Sequence, residues 1–180
     1  MIRSILLLGL ALPLASCGPG PTVSEENASV EEVADKVREA SKDQGLIRPG
    51  KWVSAVTIEE ISIPGMPADA AEQMKGMLTR TRSAESCLTP EDAQQPRATF
   101  FAGNDQCRYD RFEMRGGKID ALMRCQQDGA TQVMEMTGTY SPTSYRMQMS
   151  SKTEAGPGGE PMTMQMRVEA ERIGKCDEAS

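Results

Sequence analysis

The chain has no histidine, so the commonest general base and the commonest metal ligand are both missing from its chemistry. A Ser-His-Asp triad, a Cys-His pair and an imidazole zinc site are therefore excluded. Other catalytic constellations are thin. Glu59-Glu60 and Glu91-Asp92 are adjacent acids, which point to opposite faces of a strand or splay on a helix and so do not form a matched acid and base. Lysines such as Lys51, Lys118 and Lys152 lack a Ser-x-x-Lys context and read as solvated side chains. Asn104-Asp105 lacks the regular acid spacing of a calcium loop and reads as turn chemistry. What remains is sulfur: five cysteines and thirteen methionines.

Cys17 is set apart by what precedes it. Arg3 supplies a positive n-region, Ile5 to Leu14 an apolar run, and Leu14-Ala15-Ser16 small residues before the cysteine, which together read as a secretory leader. The run is too short to span about 30 Å of hydrocarbon. Leu14-Ala15-Ser16-Cys17 resembles the lipobox of bacterial lipoproteins. That resemblance implies a diacylglyceryl thioether on Cys17, cleavage before it and acylation of the new amino terminus. Two or three acyl chains, at ~0.8 kcal/mol per buried methylene, suffice for stable anchoring. Gly18 is not the aspartate that resembles an inner-membrane retention signal, so the outer membrane is preferred to the inner as the site of a periplasm-facing anchor.

The other four cysteines, Cys87, Cys107, Cys125 and Cys176, are an even set in an exported chain, which points to disulfides. A four-thiolate metal site would want a close Cys-x-x-Cys pair, and there is none. Arg108 to Met114 and Ile119 to Arg124 read as two strands around Arg115-Gly116-Gly117-Lys118. A three-residue loop centred on Gly116 then sets Cys107 directly opposite Cys125, within disulfide range. Cys87 pairs with Cys176 by elimination.

The methionines follow a period of two. Met134 and Met136, then Tyr145, Met147 and Met149, then Met162, Met164, Met166 and Val168 alternate with polar residues such as Glu135, Gln148, Gln165 and Arg167. Alternation places each set on one face of a strand. The plain reading is a core in which thioethers fill the volume that aromatics would otherwise fill, for the chain has only three Phe, three Tyr and one Trp. A pliable surface for an acyl chain or another apolar ligand is the sharper one. Thioethers also suit Cu(I), which would need several sulfurs converging on one exposed point.

The elements that must position these residues are mostly strands. Gly18 to Ser24 reads as a linker. Ser29 and Glu32 form a capping-box pattern, and Val30, Val33, Ala34, Val37 and Ala40 recur at helical spacing up to Gly45. So thin an apolar stripe suits a spacer better than a partner-binding face, with docking onto the domain as the other option. From Pro49 the period changes to two. Trp52 to Ile63 reads as a strand stopped by Pro64-Gly65-Met66-Pro67, Ala68 to Leu78 as a short helix or ordered loop, and a further strand runs into Cys87. Thr89-Pro90-Glu91-Asp92 starts a helix. Then come hairpins: Gln106 to Met114, Lys118 to Gln126, Thr131 to Tyr140, Thr143 to Lys152 and Met162 to Ile173, with turns at Asp128-Gly129 and Ser141-Pro142 and a tip at Gly156-Pro157-Gly158-Gly159.

About seven strands with short connections predict a mainly β domain: one antiparallel, curved sheet closing toward a sandwich or small barrel, with one or two short helices. The organisation expected is a leader over 1–16, a lipidated tether with an acidic helix over 17–48, the β-domain over 49–176 and a tail over 177–180. The 26 acidic and 20 basic residues leave a net charge of −6. That balance disfavours nucleic acid and anionic lipid, both of which call for a basic patch.

Pro49-Gly50-Lys51-Trp52, Pro64-Gly65-Met66-Pro67, Cys87-Leu88-Thr89-Pro90-Glu91-Asp92-Ala93, Cys107, Cys125, Met162-Thr163-Met164-Gln165-Met166 and Gly174-Lys175-Cys176 resemble, in that order, the bacterial DUF 3617 family, a domain of unknown function. The resemblance covers about Pro49 to Cys176. It implies an exported, often lipidated, methionine-rich β-domain, and no activity, cofactor or catalytic residue. The functional expectation is a non-enzymatic, lipid-anchored envelope protein that binds a protein or envelope component. The alternative is a carrier of apolar ligands, and a remote one binds Cu(I). The surface in question comprises Met134, Met136, Met147, Met149, Met162, Met164 and Met166.

Overall fold

A computed structural model describes residues 20–42, 45–79, 81–94, 106–127, 129–154 and 161–176. Eight strands form one antiparallel sheet, in the order β1-β4-β5-β6-β7-β8-β2-β3. They are β1 (Val23–Ser29), β2 (Gly50–Ser62), β3 (Arg82–Leu88), β4 (Cys107–Arg115), β5 (Lys118–Gln127), β6 (Ala130–Ser141), β7 (Ser144–Glu154) and β8 (Met162–Gly174). Among the described residues three helices accompany them: α1 (Val30–Ala40), α2 (Ala68–Leu78) and α3 (Pro90–Gln94). The mainly β, antiparallel reading holds. The sheet stays open, however, with β1 and β3 at its two edges, so it neither closes into a barrel nor folds over into a sandwich.

The sheet is built from a continuous meander, β4 to β8, flanked by segments that precede it in the chain. On one flank β2 pairs with β8 from Lys51↔Gly174 to Ser62↔Thr163 and carries β3 on its other side. On the opposite flank β1 pairs with β4 from Val23↔Met114 to Ser29↔Arg108. Val23–Ser29 was expected to be linker running into a tether helix, and the structure puts it and α1 inside the domain instead. With only Val23 and Ala28 as apolar residues, β1 lacks the alternation that would mark it as a strand, because an edge strand needs few inward side chains.

Ser29 ends β1 and caps α1 at once. The Glu32 N–H donates to Ser29 Oγ at 3.1 Å while the Ser29 N–H donates to Glu32 Oε2 at 2.7 Å, a complete capping box. These bonds to Ser29 hold the Glu32 carboxyl below its ordinary range. The chain thus turns within one residue from the sheet edge onto the sheet face. There Val30, Val33, Ala34 and Val37 are all buried, Val33 and Val37 completely. A stripe of three valines and an alanine is thin, but it lies on a flat surface of larger side chains. It therefore docks rather than acting as a spacer.

Two irregularities shape the face it docks on. The β4–β5 turn is two residues long, with Gly116 (φ 59°) and Gly117 (φ 75°) both left-handed and Arg115 opposite Lys118. This is a type I′ hairpin, which glycine allows and which matches the twist of the strands. Beyond it the register shifts at Asp110, so that Tyr109 and Phe112 both face inward although they are three residues apart. Their rings meet edge to face at 5.2 Å. On the β1 side, Asn27 lies between the Glu26↔Arg111 and Ala28↔Tyr109 pairs in a left-handed conformation (φ 51°), one that asparagine tolerates. A second shift, between Ile58 and Glu60, likewise brings Ile58 and Ile61 to the same face.

Candidate functional site

Register assigns the methionines without ambiguity. Directly paired residues share a face. Met136 pairs with Ala121 and Met149, and Met149 with Met166, which pairs in turn with Ile58; Met134 pairs with Met123, and Met164 with Ile61. Met147 stands opposite Gly138 and Val168, and Met162 opposite Thr153. Met134, Met136, Met147, Met149, Met162, Met164 and Met166 therefore lie together on one face, the face that α1 covers. Gly138 makes room in this array. A Cβ at that position would collide with the Met147 sulfur and the Arg146 carbonyl.

The array is unevenly buried. The core joins α1 and Leu46 to Val23 and Ala28 of β1, Tyr109, Phe112 and Met114 of β4, Ala121 and Met123 of β5 and Met136 of β6. Met134, Met147 and Met149 pack against its margin, half-buried. Met162, Met164 and Met166 of β8, with Ile58 and Ile61 of β2, are also half-buried but lie outside that core, and Val56 is 38% exposed. The helix beside β2 does not complete the cover, since α2 has no buried residue and its Met77 is 61% exposed. So the plain reading as core fits the β4–β6 half, whereas the β8–β2 half is an apolar surface short of full cover. Cu(I) is poorly served, because Met136, Met149 and Met166 form a row whose first member is buried.

The opposite face carries the ion pairs between strands. Arg111 pairs with Asp120, Arg124 with Asp110 at 2.5 Å, Arg146 with Glu169 at 2.6 Å, Arg167 with Glu59 at 2.8 Å and Lys51 with Glu85 at 2.9 Å. Gln148 adds a donor to Glu59 at 2.7 Å. A shallow depression of about 530 Å³ lies over this side, between Val53, Ala55, Arg146, Glu169 and Ile173. Its Arg146 and Glu169 neutralise each other, and none of the seven methionines lines it. Among the described residues no three Cys, Asp or Glu side chains group as a metal site would require.

The cysteines pair as expected. Cys107 and Cys125 stand opposite each other with Cα atoms 4.0 Å apart, and Cys87 and Cys176 are joined at 5.5 Å. The second bridge ties edge strand β3 to the chain just beyond β8, across intervening β2. Cys17, the leader, the Asn104-Asp105 turn, the Gly156 to Gly159 tip, the tail and Asp128 of the Asp128-Gly129 turn lie outside the described residues. Near the first described residues, Gly20 sits against the Tyr140 ring, and the Tyr140 hydroxyl donates to the Pro21 carbonyl at 3.0 Å. Tyr140 is paired with Tyr145, whose ring lies 6.1 Å from that of Trp52. Sequence reasoning placed Tyr145 in the methionine ladder but did not join it to Trp52, because β2 lies far from β6 and β7 in the chain.

A family model described as "Protein of unknown function (DUF3617)" matches residues 47–176. No curated protein and no solved structure matches the chain.

Proposed function

We propose, for a chain that belongs to the DUF3617 family of unknown function, a non-enzymatic, lipid-anchored role in the cell envelope, in which the β-domain binds a protein or another envelope component. The observation that carries this reading is the mismatch between the apolar face and its cover: Met162, Met164, Met166, Ile58 and Ile61 extend past the core that α1 seals. An adaptable thioether surface bordered by a fixed core suits a binding platform. The non-catalytic half of the proposal is supported by the missing histidine and by carboxylates engaged with arginine on the opposite face. Export and acylation at Cys17, with the outer membrane as the preferred location, belong to the same proposal and rest on the leader and on Gly18.

The same half-buried methionines favour a second reading, a carrier of apolar ligands such as acyl chains. A photo-crosslinking residue in place of Met164, with a control in place of Arg124 on the charged face, tests the main reading in the native membrane. Adducts with a discrete envelope component from position 164 and none from position 124 are expected. Equal labelling from both faces would overturn a binding role for this surface.

A further inference from the structure

The apolar face, the point where the chain reaches it and the placement of charge together specify an occupant. Gly20 and Pro21 lie at the Tyr140 hydroxyl, on the methionine-bearing face and not on the charged one. Cys17 is three residues earlier, and three residues reach at most about 11 Å. Acyl chains on Cys17 would keep Gly20, and the Tyr140 hydroxyl beside it, close to a bilayer. Tyr140 and Tyr145 are half-buried, amphipathic rings at the end of the strands nearest that point, and tyrosine favours the interface between water and lipid. Beyond them along β7 and β8 run Met147, Met149, Met166 and Met164, the last two outside the sealed core.

The ion pairs Arg111–Asp120, Arg124–Asp110, Arg146–Glu169 and Arg167–Glu59 are all on the far side of the sheet. A net charge of −6 sets the protein against an anionic surface but not against a zwitterionic one. We infer that the β8–β2 half of the methionine face, Met162, Met164, Met166, Ile58 and Ile61, rests on the zwitterionic lipid surface to which Cys17 tethers the chain. The tether makes this contact effectively intramolecular, so a small apolar patch that would not hold a free protein on a membrane is sufficient. The inference rests on the proposed acylation of Cys17 and names the bilayer itself as the envelope component.

Methionine oxidation reads the contact directly, because its rate follows exposure. The mature acylated protein, in vesicles of phosphatidylethanolamine and phosphatidylcholine, and the Cys17→Ser protein in buffer are treated with chloramine-T, a charged oxidant that stays in water. Peptide mass spectrometry then gives initial rates at each methionine. Met162, Met164 and Met166 should be oxidised several-fold more slowly in the vesicle-bound protein, with Met77 unchanged as the exposed reference. Lipid present on Cys17 by intact mass, with equal rates at the three methionines in both samples, overturns the docking and leaves the anchor standing. An unmodified Cys17 overturns both. Protection in native membranes but not in the vesicles overturns the docking in favour of a protein occupant.

Discussion

Cys107 and Cys125 are opposite each other because Asp110 is an extra residue. The two-residue Gly116-Gly117 turn pairs Arg115 with Lys118, and carried straight along β4 that register would set Cys107 against Gln126 and Arg108 against Cys125. The shift between Tyr109 and Arg111 removes the offset. It brings Cys107 onto the inner face beside Cys125, where each is buried.

Deleting Asp110 should therefore remove the bulge and leave both bridges intact, because the straight register then sets Tyr109 against Met123 and Cys107 against Cys125. Thiol titration of the denatured, unreduced variant is expected to find none of these four cysteines reactive, with peptide mapping linking Cys107 to Cys125, whereas adding a second residue beside Asp110 should free that pair. Free thiols at Cys107 and Cys125 in the deletion variant would mean that Asp110 is not the residue that offsets the register.

The two bridges should differ in worth. They close loops with sequence separations of 18 and 89 residues; the chain-entropy relation gives about 3 and about 4.6 kcal/mol respectively. Urea unfolding of the Cys107→Ala/Cys125→Ala and Cys87→Ala/Cys176→Ala proteins should show the larger loss for the second pair. The reverse order would show that the buried hairpin sulfurs contribute more through packing than the longer loop does through entropy.

Val33 of α1 is completely buried against the sheet, so Val33→Ala should cost roughly 1–3 kcal/mol, the range for removing buried methyl groups. Met77→Ala, at a site 61% exposed, should fall within about 0.5 kcal/mol of the parent protein. Equal and small losses at both sites would sink the assignment of α1 to the core and return it to the role of a spacer.

The capping box predicts a pH dependence. Bonds to Ser29 lower the Glu32 pKa from its ordinary 4.5, so the folded state binds this proton less readily than the unfolded one. The resulting stability is present above pH 4.5 and is lost as pH falls through the lowered folded value. Thermal melts from pH 7 to pH 3 should show the Ser29→Ala protein less stable at neutral pH, with the gap to the parent closing in acid. Ser29→Ala itself should cost about 0.5–2 kcal/mol at neutral pH. A gap independent of pH would mean that the Glu32 half of the box contributes nothing.

Much of this fold was legible because its signals are local. The strands from Cys107 to Gly174 follow from alternation and turns, α1 from its cap and periodicity, and the shared face of the methionines from the period of two. The Cys107–Cys125 pairing was reached through a loop one residue too long, an error that the unforeseen bulge at Asp110 cancels. What escaped depends on partners far away in sequence. β1 has almost no apolar alternation and exists because β4 offers it an edge. Which methionines are sealed and which are half-exposed depends on where α1 lands, and nothing in the ladder of thioethers encodes that.

The strand order also imposes a timetable. β2 joins the rest of the sheet through β8, with Lys51 next to Gly174, and Cys87 finds its partner at Cys176. A chain made from its amino terminus presents β2, α2 and β3 long before β8 exists. β2 and β3 can pair with each other, but that pair must wait beside an open edge, with Cys87 oxidisable, until the last strand emerges, while the β4–β5 hairpin can zip as it appears. Within that interval Cys87 has Cys107 and Cys125 as premature suitors. A thiol that meets them first needs an isomerase to let go, which makes the final strand the checkpoint for correct maturation.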